Sequence, residues 1–200
     1  MRHTLQAEGF GVRLRPVRME DAAFIVWLRN LEHVRGRVGD SALDTPAQEN
    51  WLSDYFERPG DYYFIIETLG GIAVGAYGIY DLTGASAESG RWVIRPEVPA
   101  AIPSAILAFE IAFERLGLRE LRVKTVSTNR TVLSLNRKFG FRQTRVEPGA
   151  QFIGGQPVDQ VHFVLEAKDW PKIRDGLMPL ARLAEQQVRE WAKAQAQRPI

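Results

Sequence analysis

The pattern of hydrophobic and polar residues changes between strand spacing and helix spacing several times along this chain. Alternation over Val12–Pro16 predicts a first strand that ends at a proline. Two β-favouring runs, Tyr62–Thr68 and residues 72–80, flank a Gly-Gly pair and predict a hairpin. Residues 81–88 are polar and predict a loop, and residues 89–95 predict the strand that follows it.

Helical spacing of apolar residues predicts two helices between the first strand and the hairpin, and one after the strand of residues 89–95. Residues 22–30 and residues 103–116 are the two most apolar of these segments. Thr45 and Pro46 are typical of an N-cap and a first helical residue, so a second helix begins there. Residues 31–43 carry two glycines and few apolar residues, which predicts a loop or a broken helix.

Residues 121–141 combine a strand, a break and a short helix, and the rest of the chain is organised around them. Ser127, Thr128 and Asn129 offer side chains that cap a helix start. Gly140 stands where a helix end requires a left-handed residue. A strand that leads into a helix at a polar residue leaves unpaired backbone groups, and ligands bind there in open α/β sheets. An ordinary strand–turn–helix connection has the same pattern.

The C-terminal part predicts two last strands over residues 152–166, which turn at Gly154-Gly155, and then a long amphipathic helix within residues 170–197. With 200 residues, 45% of them hydrophobic, the chain is long enough for one domain with a sizeable core. The alternation of strands and helices predicts an α/β fold.

Composition removes several classes of function. The chain has no cysteine, which excludes disulfides, thiolate metal sites and a cysteine nucleophile. Its three histidines are too scattered for a zinc site, and a net charge of +2 gives no indication of nucleic-acid binding. No apolar run approaches the ~20 residues that cross a membrane, and the N-terminus lacks the apolar segment of a signal peptide. We therefore expect a bacterial cytoplasmic protein.

A resemblance to a known family gives these elements a function. Asn129, Leu135, Lys138, Gly140 and Phe141 resemble the N-x(6–8)-L-x-x-K-x-G-F segment of the GNAT superfamily of acyl-CoA-dependent N-acetyltransferases. The sequence GRWVI, at residues 90–94, resembles the strand on which these enzymes lay the pantetheine arm of coenzyme A. In the order of its elements, the resemblance extends over residues 12–165.

The resemblance implies a mixed, strongly twisted sheet with helices on both faces. It places a GNAT-like acetyltransferase domain at residues 1–168 and a helical extension, packed on the same domain, at residues 169–200. It implies acetyl-CoA as the acyl donor and no metal. The implied donor-binding residues are Trp92, Val93, Ile94, Ser104, Ala105, Asn129, Asn136 and Lys138.

The sequence departs from the family pattern in the loop that binds the pyrophosphate of coenzyme A. The family has Q/R-x-x-G-x-G/A, whereas this chain has RPEVPAAIPSAI, with Ala101 and Pro103 in place of the glycines. Proline removes a backbone donor but is tolerated in a first helical turn. A weakened site, a differently shaped loop and a loss of coenzyme A binding are all consistent with this departure.

Two side chains are candidates for the chemistry of transfer. Asn136 stands where many family members carry a tyrosine that acts as general acid; an amide donates a hydrogen bond but no proton. Glu88 precedes the strand of residues 89–95, where related enzymes hold a glutamate that relays a proton through water, although an ordinary loop carboxylate is an equally good interpretation. Attack of the amine would be direct, without a covalent intermediate on the enzyme.

The N-terminal half resembles acetyltransferases that act on nucleotide-linked 4-amino sugars. Trp27-Leu28-Arg29-Asn30 and His33-Val34-Arg35 carry this likeness. Arginines pair well with diphosphates, and a tryptophan stacks on a base or sugar, although core and surface roles explain the same residues. The implied acceptor-binding residues are Arg29, Asn30, Arg35 and Trp51.

The predicted function is therefore transfer of an acetyl group from acetyl-CoA to a primary amine of a nucleotide-linked amino sugar. The partner is a small molecule, and the protein is a monomer or a homodimer. Two alternatives are an acetyltransferase of protein N-termini, of the ribosomal-protein type, and a degenerate module that binds without catalysis.

Overall fold

The computed structural model describes residues 2–32, 34 and 44–197, and over that part of the chain it has one sheet of eight strands and five helices. The strands are β1 (Ala7–Gly9), β2 (Val12–Pro16), β3 (Tyr62–Thr68), β4 (Ala73–Thr83), β5 (Ser86–Ile94), β6 (Glu120–Val126), β7 (Arg142–Ile153) and β8 (Gln156–Glu166). The helices are α1 (Ala22–Arg29), α2 (Thr45–Glu57), α3 (Ala101–Glu110), α4 (Arg130–Lys138) and α5 (Trp170–Ala196).

The strand order is β1-β2-β3-β4-β5-β6-β8-β7, and every neighbouring pair is antiparallel except β5 and β6. This is the mixed α/β sheet that the sequence predicts. Alternate residues of a strand face opposite sides of a sheet. On β3, Tyr63 and Ile65 pack against α1 and α2, whereas Phe64 and Ile66 pack into the core that contains α3, α4 and part of α5. Helices therefore cover both faces.

The polar segment before β5 is not the loop that the sequence predicts. β4 extends to Thr83 and β5 begins at Ser86, so only Gly84 and Ala85 separate the two strands. Polar side chains are tolerated because the outer ends of these strands are partly exposed to solvent. One extra residue bulges from β4 near Asp81, whose φ is 52°.

Two helix starts also differ from the sequence prediction. α2 is capped by Asp44, whose carboxylate accepts a hydrogen bond from the amide of Ala47 at 2.9 Å, so Thr45 is the first helical residue and not the cap. α3 begins at Ala101, two residues before Pro103. A proline is compatible with this position, since amides in the first turn of a helix have no intrahelical acceptor.

The long helix α5 packs along α3 and reaches back to the N-terminal hairpin. Trp170 stacks edge-on against Phe109, with 5.7 Å between their ring centroids. Farther along the helix, Val188 is fully buried and touches the backbone near Gly11, where a larger residue than glycine would be crowded. Gly140, which ends α4 with φ 81° as predicted, lies against Ile173 of α5.

Candidate active site

The strands β5 and β6 part in the middle of the sheet and leave a cavity of about 530 Å³. They pair in parallel only where Ser86, Ala87 and Glu88 face residues 120–122, and beyond that point no ladder joins them. The inward backbone groups of residues 90–94 are therefore without strand partners on the β6 side. A ligand that offers amide groups can bond to them, because buried backbone groups require partners.

A bulge in β5 shapes the edge of this opening. Ala76 of β4 faces Val93, but Gly78 faces Gly90, so β5 has one residue more than β4 in this interval. Arg91 sits in the bulge with φ 50°, a left-handed conformation that is uncommon for a side chain other than glycine. Its side chain therefore turns to the α1–α2 face of the sheet.

The cavity has two halves, one on each face of the sheet. The α1–α2 half is lined by aromatic and charged side chains, namely Arg29, Trp51, Arg58, Tyr63, Tyr80, Glu88, Arg91 and Lys124. The half that faces α4 is lined mainly by neutral groups, namely Trp92, Val123, Thr125, Asn129, Val132 and Asn136. We call these the acceptor half and the donor half, after the residues in each that the sequence predicts to bind the acceptor and the donor.

A buried ion pair fixes the acceptor half. The guanidinium of Arg91 donates two hydrogen bonds to the carboxylate of Asp61, at 2.6 and 2.9 Å. Its central carbon lies 4.3 Å from the ring centroid of Tyr80 and 5.1 Å from that of Trp51. Burial alone would lower the pKa of Arg91, but the hydrogen bonds and the charge of Asp61 raise it above its ordinary value. Arg91 therefore stays charged inside the cavity.

Glu88 lies where the two strands begin to part. Its side chain is mostly buried, and one carboxylate oxygen is 2.6 Å from the Nζ of Lys124 on β6. The hydroxyl of Tyr80 donates to the other oxygen at 3.3 Å. Burial, and then the negative charge of Glu88, raise the pKa of Tyr80 above its ordinary value, so this phenol stays protonated at neutral pH. The structure thus places the carboxylate of Glu88 in the cavity wall.

The predicted acceptor-binding residues have different positions. Arg29 lines the cavity, where burial first and the charge of Arg91 as a smaller effect lower its pKa. Trp51 also lines it and stacks parallel to Tyr55 at 5.6 Å. Asn30, by contrast, ends α1, and its amide donates to the carbonyl of Val26 at 2.9 Å; it is not among the lining residues. His33 and Arg35 lie outside the described residues.

The donor half is held by hydrogen bonds between neutral groups. Asn136 is almost fully buried and donates from Nδ2 to the Oγ1 of Thr125 at 3.1 Å. The side chain of Asn129 caps α4 by accepting from the amide of Val132 at 3.3 Å. Val93 lines the cavity as well, whereas Ile94 and the exposed Lys138 do not.

The start of α3 adjoins this half through Trp92. The indole Nε1 of Trp92 donates to the hydroxyl of Ser104 at 3.3 Å, and that hydroxyl also donates to the carbonyl of Ala101. Ser104 and Ala105 are fully buried, and the amide of Ser104 already donates to the carbonyl of Ala100 at 3.0 Å. The amides without an intrahelical acceptor at this helix start are those of Ala101 and Ile102.

Several residues that line the cavity were not predicted from the sequence. Tyr80, Tyr63 and Lys124 appear in the sequence as ordinary strand residues, and the pairing of Arg91 with Asp61 spans 30 positions. One signal was present in the sequence. Gly78 and Gly90 interrupt two adjoining strands, and a side chain at Gly90 would collide with the hydroxyl of Tyr80. Glycines inside strands mark bulges and close contacts.

The described part of the chain has neither a cluster of metal ligands nor a membrane-spanning helix. No group of three or more histidine, aspartate or glutamate residues there could hold a metal ion. Among the helices of residues 2–32, 34 and 44–197, none is long and apolar enough to span a membrane.

Comparison with known families gives one match, which extends over residues 12–142 and is described as an acetyltransferase (GNAT) domain. No curated protein matches the sequence. Among solved structures, the chain is similar to a GCN5-related N-acetyltransferase from Brucella melitensis. The TM-score is 0.77 with 18% identity, over 90% of this chain and 86% of that one.

Two further structural neighbours have names that mention an acceptor. One is apo FdhC, described as a nucleotide-linked sugar GNAT, with TM-score 0.73 and 23% identity over 90% of this chain and 98% of that one. The other is spermidine N-acetyltransferase from Vibrio cholerae in complex with CoA and spermine, with TM-score 0.75 and 18% identity over 82% and 99%. At such identities these similarities establish the fold.

Proposed function

This chain belongs to the GNAT acetyltransferase family and uses acetyl-CoA as its donor, and we propose that its acceptor is the primary amine of a nucleotide-linked amino sugar. The observation that carries the proposal is the charge of the acceptor half. Arg29, Arg58, Arg91 and Lys124 line it, and two carboxylates face them: Glu88 in the lining, and Asp61, which pairs with Arg91. Such a lining favours an acceptor that brings negative charge, as a nucleotide diphosphate does.

The same charges argue against two other acceptors. A polyamine would bring several ammonium groups towards the guanidinium groups of Arg29 and Arg91, which is unfavourable in a partly buried site. A peptide N-terminus calls for an acidic groove, and Glu88 is the only acidic residue of the described lining. A nucleotide-linked sugar fits the lining better, because its phosphates are complementary to the arginines and its base or sugar ring can stack on Trp51.

Acetyl-CoA supplies an activated thioester carbonyl. In the proposed arrangement, the backbone groups of Trp92 and Val93, which have no strand partner on the β6 side, bond to the amides of the pantetheine arm. The amides of Ala101 and Ile102, at the positive end of the α3 dipole, face the pyrophosphate. In this arrangement the backbone of residues 92–93 and the start of α3 hold the donor without glycines in the loop.

Glu88 is the proposed acceptor for the proton that the amine loses. Its carboxylate borders the cavity, and the protonated Tyr80 and the ammonium of Lys124 hold it in place. A positioned carboxylate that takes a proton directly or through one water accelerates such reactions by about 10²–10⁴-fold. Asn136 is proposed to contact the donor through the second hydrogen of its amide, since the first is bonded to Thr125.

The proposal is tested by an acceptor screen that detects the free thiol of coenzyme A. The chain contains no cysteine, so the protein gives no background with a thiol reagent. The acceptors would be a uridine- or thymidine-diphosphate 4-amino sugar, the same sugar without its nucleotide, spermidine, and a peptide that begins with alanine. We expect the nucleotide-linked sugar to give a kcat/KM at least about 100-fold above the others, as two charge-assisted contacts imply.

A matched pair of variants locates the charge effect. Arg29→Gln should raise the KM for the nucleotide-linked sugar and leave the KM for the free sugar unchanged. Arg182→Gln removes the same charge from an exposed position of α5, outside the cavity, and should change neither. Preference for spermidine or for the peptide would refute the proposed acceptor and leave the acetyltransferase assignment intact.

A further inference from the structure

The loop between β5 and α3, residues 95–100, reaches the start of α3 without any glycine. A glycine-rich loop takes its shape from backbone conformations that other residues avoid. This loop instead has Pro96 and Pro99, and its conformation is fixed by contacts. Val98 and Ala100 are buried in the core. Two short-range backbone hydrogen bonds hold the loop: the amide of Val98 donates to the carbonyl of Arg95, and the amide of Ala100 donates to the carbonyl of Val98.

The first residue of this loop is held between two indole rings. The guanidinium carbon of Arg95 lies 5.1 Å from the ring centroid of Trp27 on α1 and 5.3 Å from that of Trp191 on α5. The same guanidinium pairs with Glu97, two residues farther along the loop, at 2.6 Å. Trp27 is 44% exposed, and its ring also stacks on that of Phe24, with 5.8 Å between the ring centroids.

Trp191 lies in a helix that the family match does not include. That match ends at residue 142, whereas α5 is Trp170–Ala196. The helix crosses from the core at Trp170 to the far end of β5, where Arg95 follows the last strand residue. One segment outside the matched family region therefore touches the loop that leads to the amides of Ala101 and Ile102.

We infer that α5, through Trp191, positions the loop of residues 95–100 for the binding of coenzyme A. The contact between Trp191 and Arg95 fixes the shape of this loop, as glycines do in the family's loop. Trp191 is then a positioning residue: it acts on the donor through Arg95 and touches no reacting atom. The inference concerns the binding of the donor and is independent of which amine accepts the acetyl group.

The test compares two ligands that share the pantetheine arm. Coenzyme A carries the pyrophosphate that would meet the start of α3, whereas S-acetylpantetheine lacks it. In Trp191→Ala we expect coenzyme A to bind about tenfold more weakly in calorimetric titration, as the loss of a cation–π pair in a partly buried site implies. The rise in melting temperature caused by millimolar S-acetylpantetheine should be the same as in the unmodified chain.

Three further variants keep the result interpretable. Leu180→Ala changes an exposed residue of the same helix and should leave both ligands unaffected. Trp191→Phe retains an aromatic ring and should restore most of the affinity for coenzyme A. Arg95→Met should reproduce the loss, and adding Trp191→Ala to it should cause no further loss, because both changes remove the same contact.

Two results would overturn the inference. If Trp191→Ala binds coenzyme A as well as Leu180→Ala does, the contact has no part in donor binding. If the responses to coenzyme A and to S-acetylpantetheine decline in parallel, or if the effects of Trp191→Ala and Arg95→Met add, then α5 supports the fold in general and not the loop.

Discussion

The two halves of the cavity keep their shape by different means. The acceptor half depends on charges: Asp61 with Arg91, and Glu88 with Lys124. The donor half depends on bonds between neutral groups, such as Asn136 with Thr125. Removing one partner of a buried ion pair leaves an uncompensated charge, whereas removing one neutral partner leaves a smaller penalty. The acceptor half should therefore be the more sensitive to single substitutions.

The largest effect should follow from breaking the ion pair of the acceptor half. Asp61→Asn leaves Arg91 buried among three aromatic rings without its counter-charge, and we expect a loss of about 3–5 kcal/mol in the free energy of unfolding. Urea denaturation followed by circular dichroism measures this loss. Replacing Arg91 as well, in Asp61→Asn/Arg91→Met, should recover part of it because no buried charge is left.

A surface pair provides the control for that prediction. Arg189 and Glu185 face each other one turn apart on α5, and Glu185→Gln should cost less than about 1 kcal/mol. Equal losses for Asp61→Asn and Glu185→Gln would show that the pairing in the cavity is no more important than one on the surface. The contrast between the two halves would then lose its basis.

The second prediction concerns the carboxylate that is proposed to take the proton. Glu88→Gln keeps the size of the side chain and an acceptor for the Tyr80 hydroxyl, but removes the basic group. We expect kcat/KM to fall about 100-fold with little change in the KM for acetyl-CoA. Glu120 is another carboxylate of this sheet; it accepts a hydrogen bond from Ser86 and does not line the cavity, so Glu120→Gln should leave kcat/KM nearly unchanged. Full activity of Glu88→Gln would remove Glu88 from the mechanism.

The third prediction tests the donor half. Asn136→Ala should raise the KM for acetyl-CoA about tenfold, since one hydrogen bond to the donor is lost and Thr125 loses its partner, together about 1–2 kcal/mol. Thr125→Val breaks the same internal bond but keeps the asparagine. If Asn136 acts by direct contact with the donor, Thr125→Val should have the smaller effect. Equal effects would reduce Asn136 to a structural role.

The sequence predicted the fold well because the fold depends on local patterns. Alternation in β2, the β-favouring run of β3, helical spacing in α1, and Gly140 at the end of α4 each specify an element within a few residues. The family resemblance then supplied the mixed sheet with helices on both faces, and the family match and the eight-stranded sheet confirm it.

The site was predicted only in part because much of it depends on contacts between distant residues. Asp61 meets Arg91 only because a bulge turns one residue of β5, and a bulge is a property of two paired strands. The extent of β4 and β5 was also misjudged, since polar residues at the partly exposed ends of strands look like a loop. In contrast, Glu88 and Asn136, which the family resemblance singled out, both line the cavity.

The smallest predicted effect provides a control for experiments on pH. His3 lies outside both halves, with its Nε2 3.2 Å from the carbonyl of Tyr63 and its ring 4.8 Å from that of Phe64. Burial lowers its pKa below the ordinary 6.5, although the bond to that carbonyl offsets part of the effect. The unfolded chain therefore takes up the proton first as the pH falls, and the folded state loses stability below about pH 6.5.

The decline in stability at low pH can be distinguished from an effect of pH on catalysis. In His3→Phe the decline in stability below pH 6.5 should be shallower than in the unmodified chain, whereas Leu180→Ala should retain the full slope; urea midpoints between pH 5 and 7.5 measure both. If kcat/KM falls equally with acid in His3→Phe and in the unmodified chain, the loss of activity arises from the chemistry of the cavity. If the loss of activity becomes smaller in His3→Phe, it reflects unfolding, and a pH profile alone would then say nothing about Glu88.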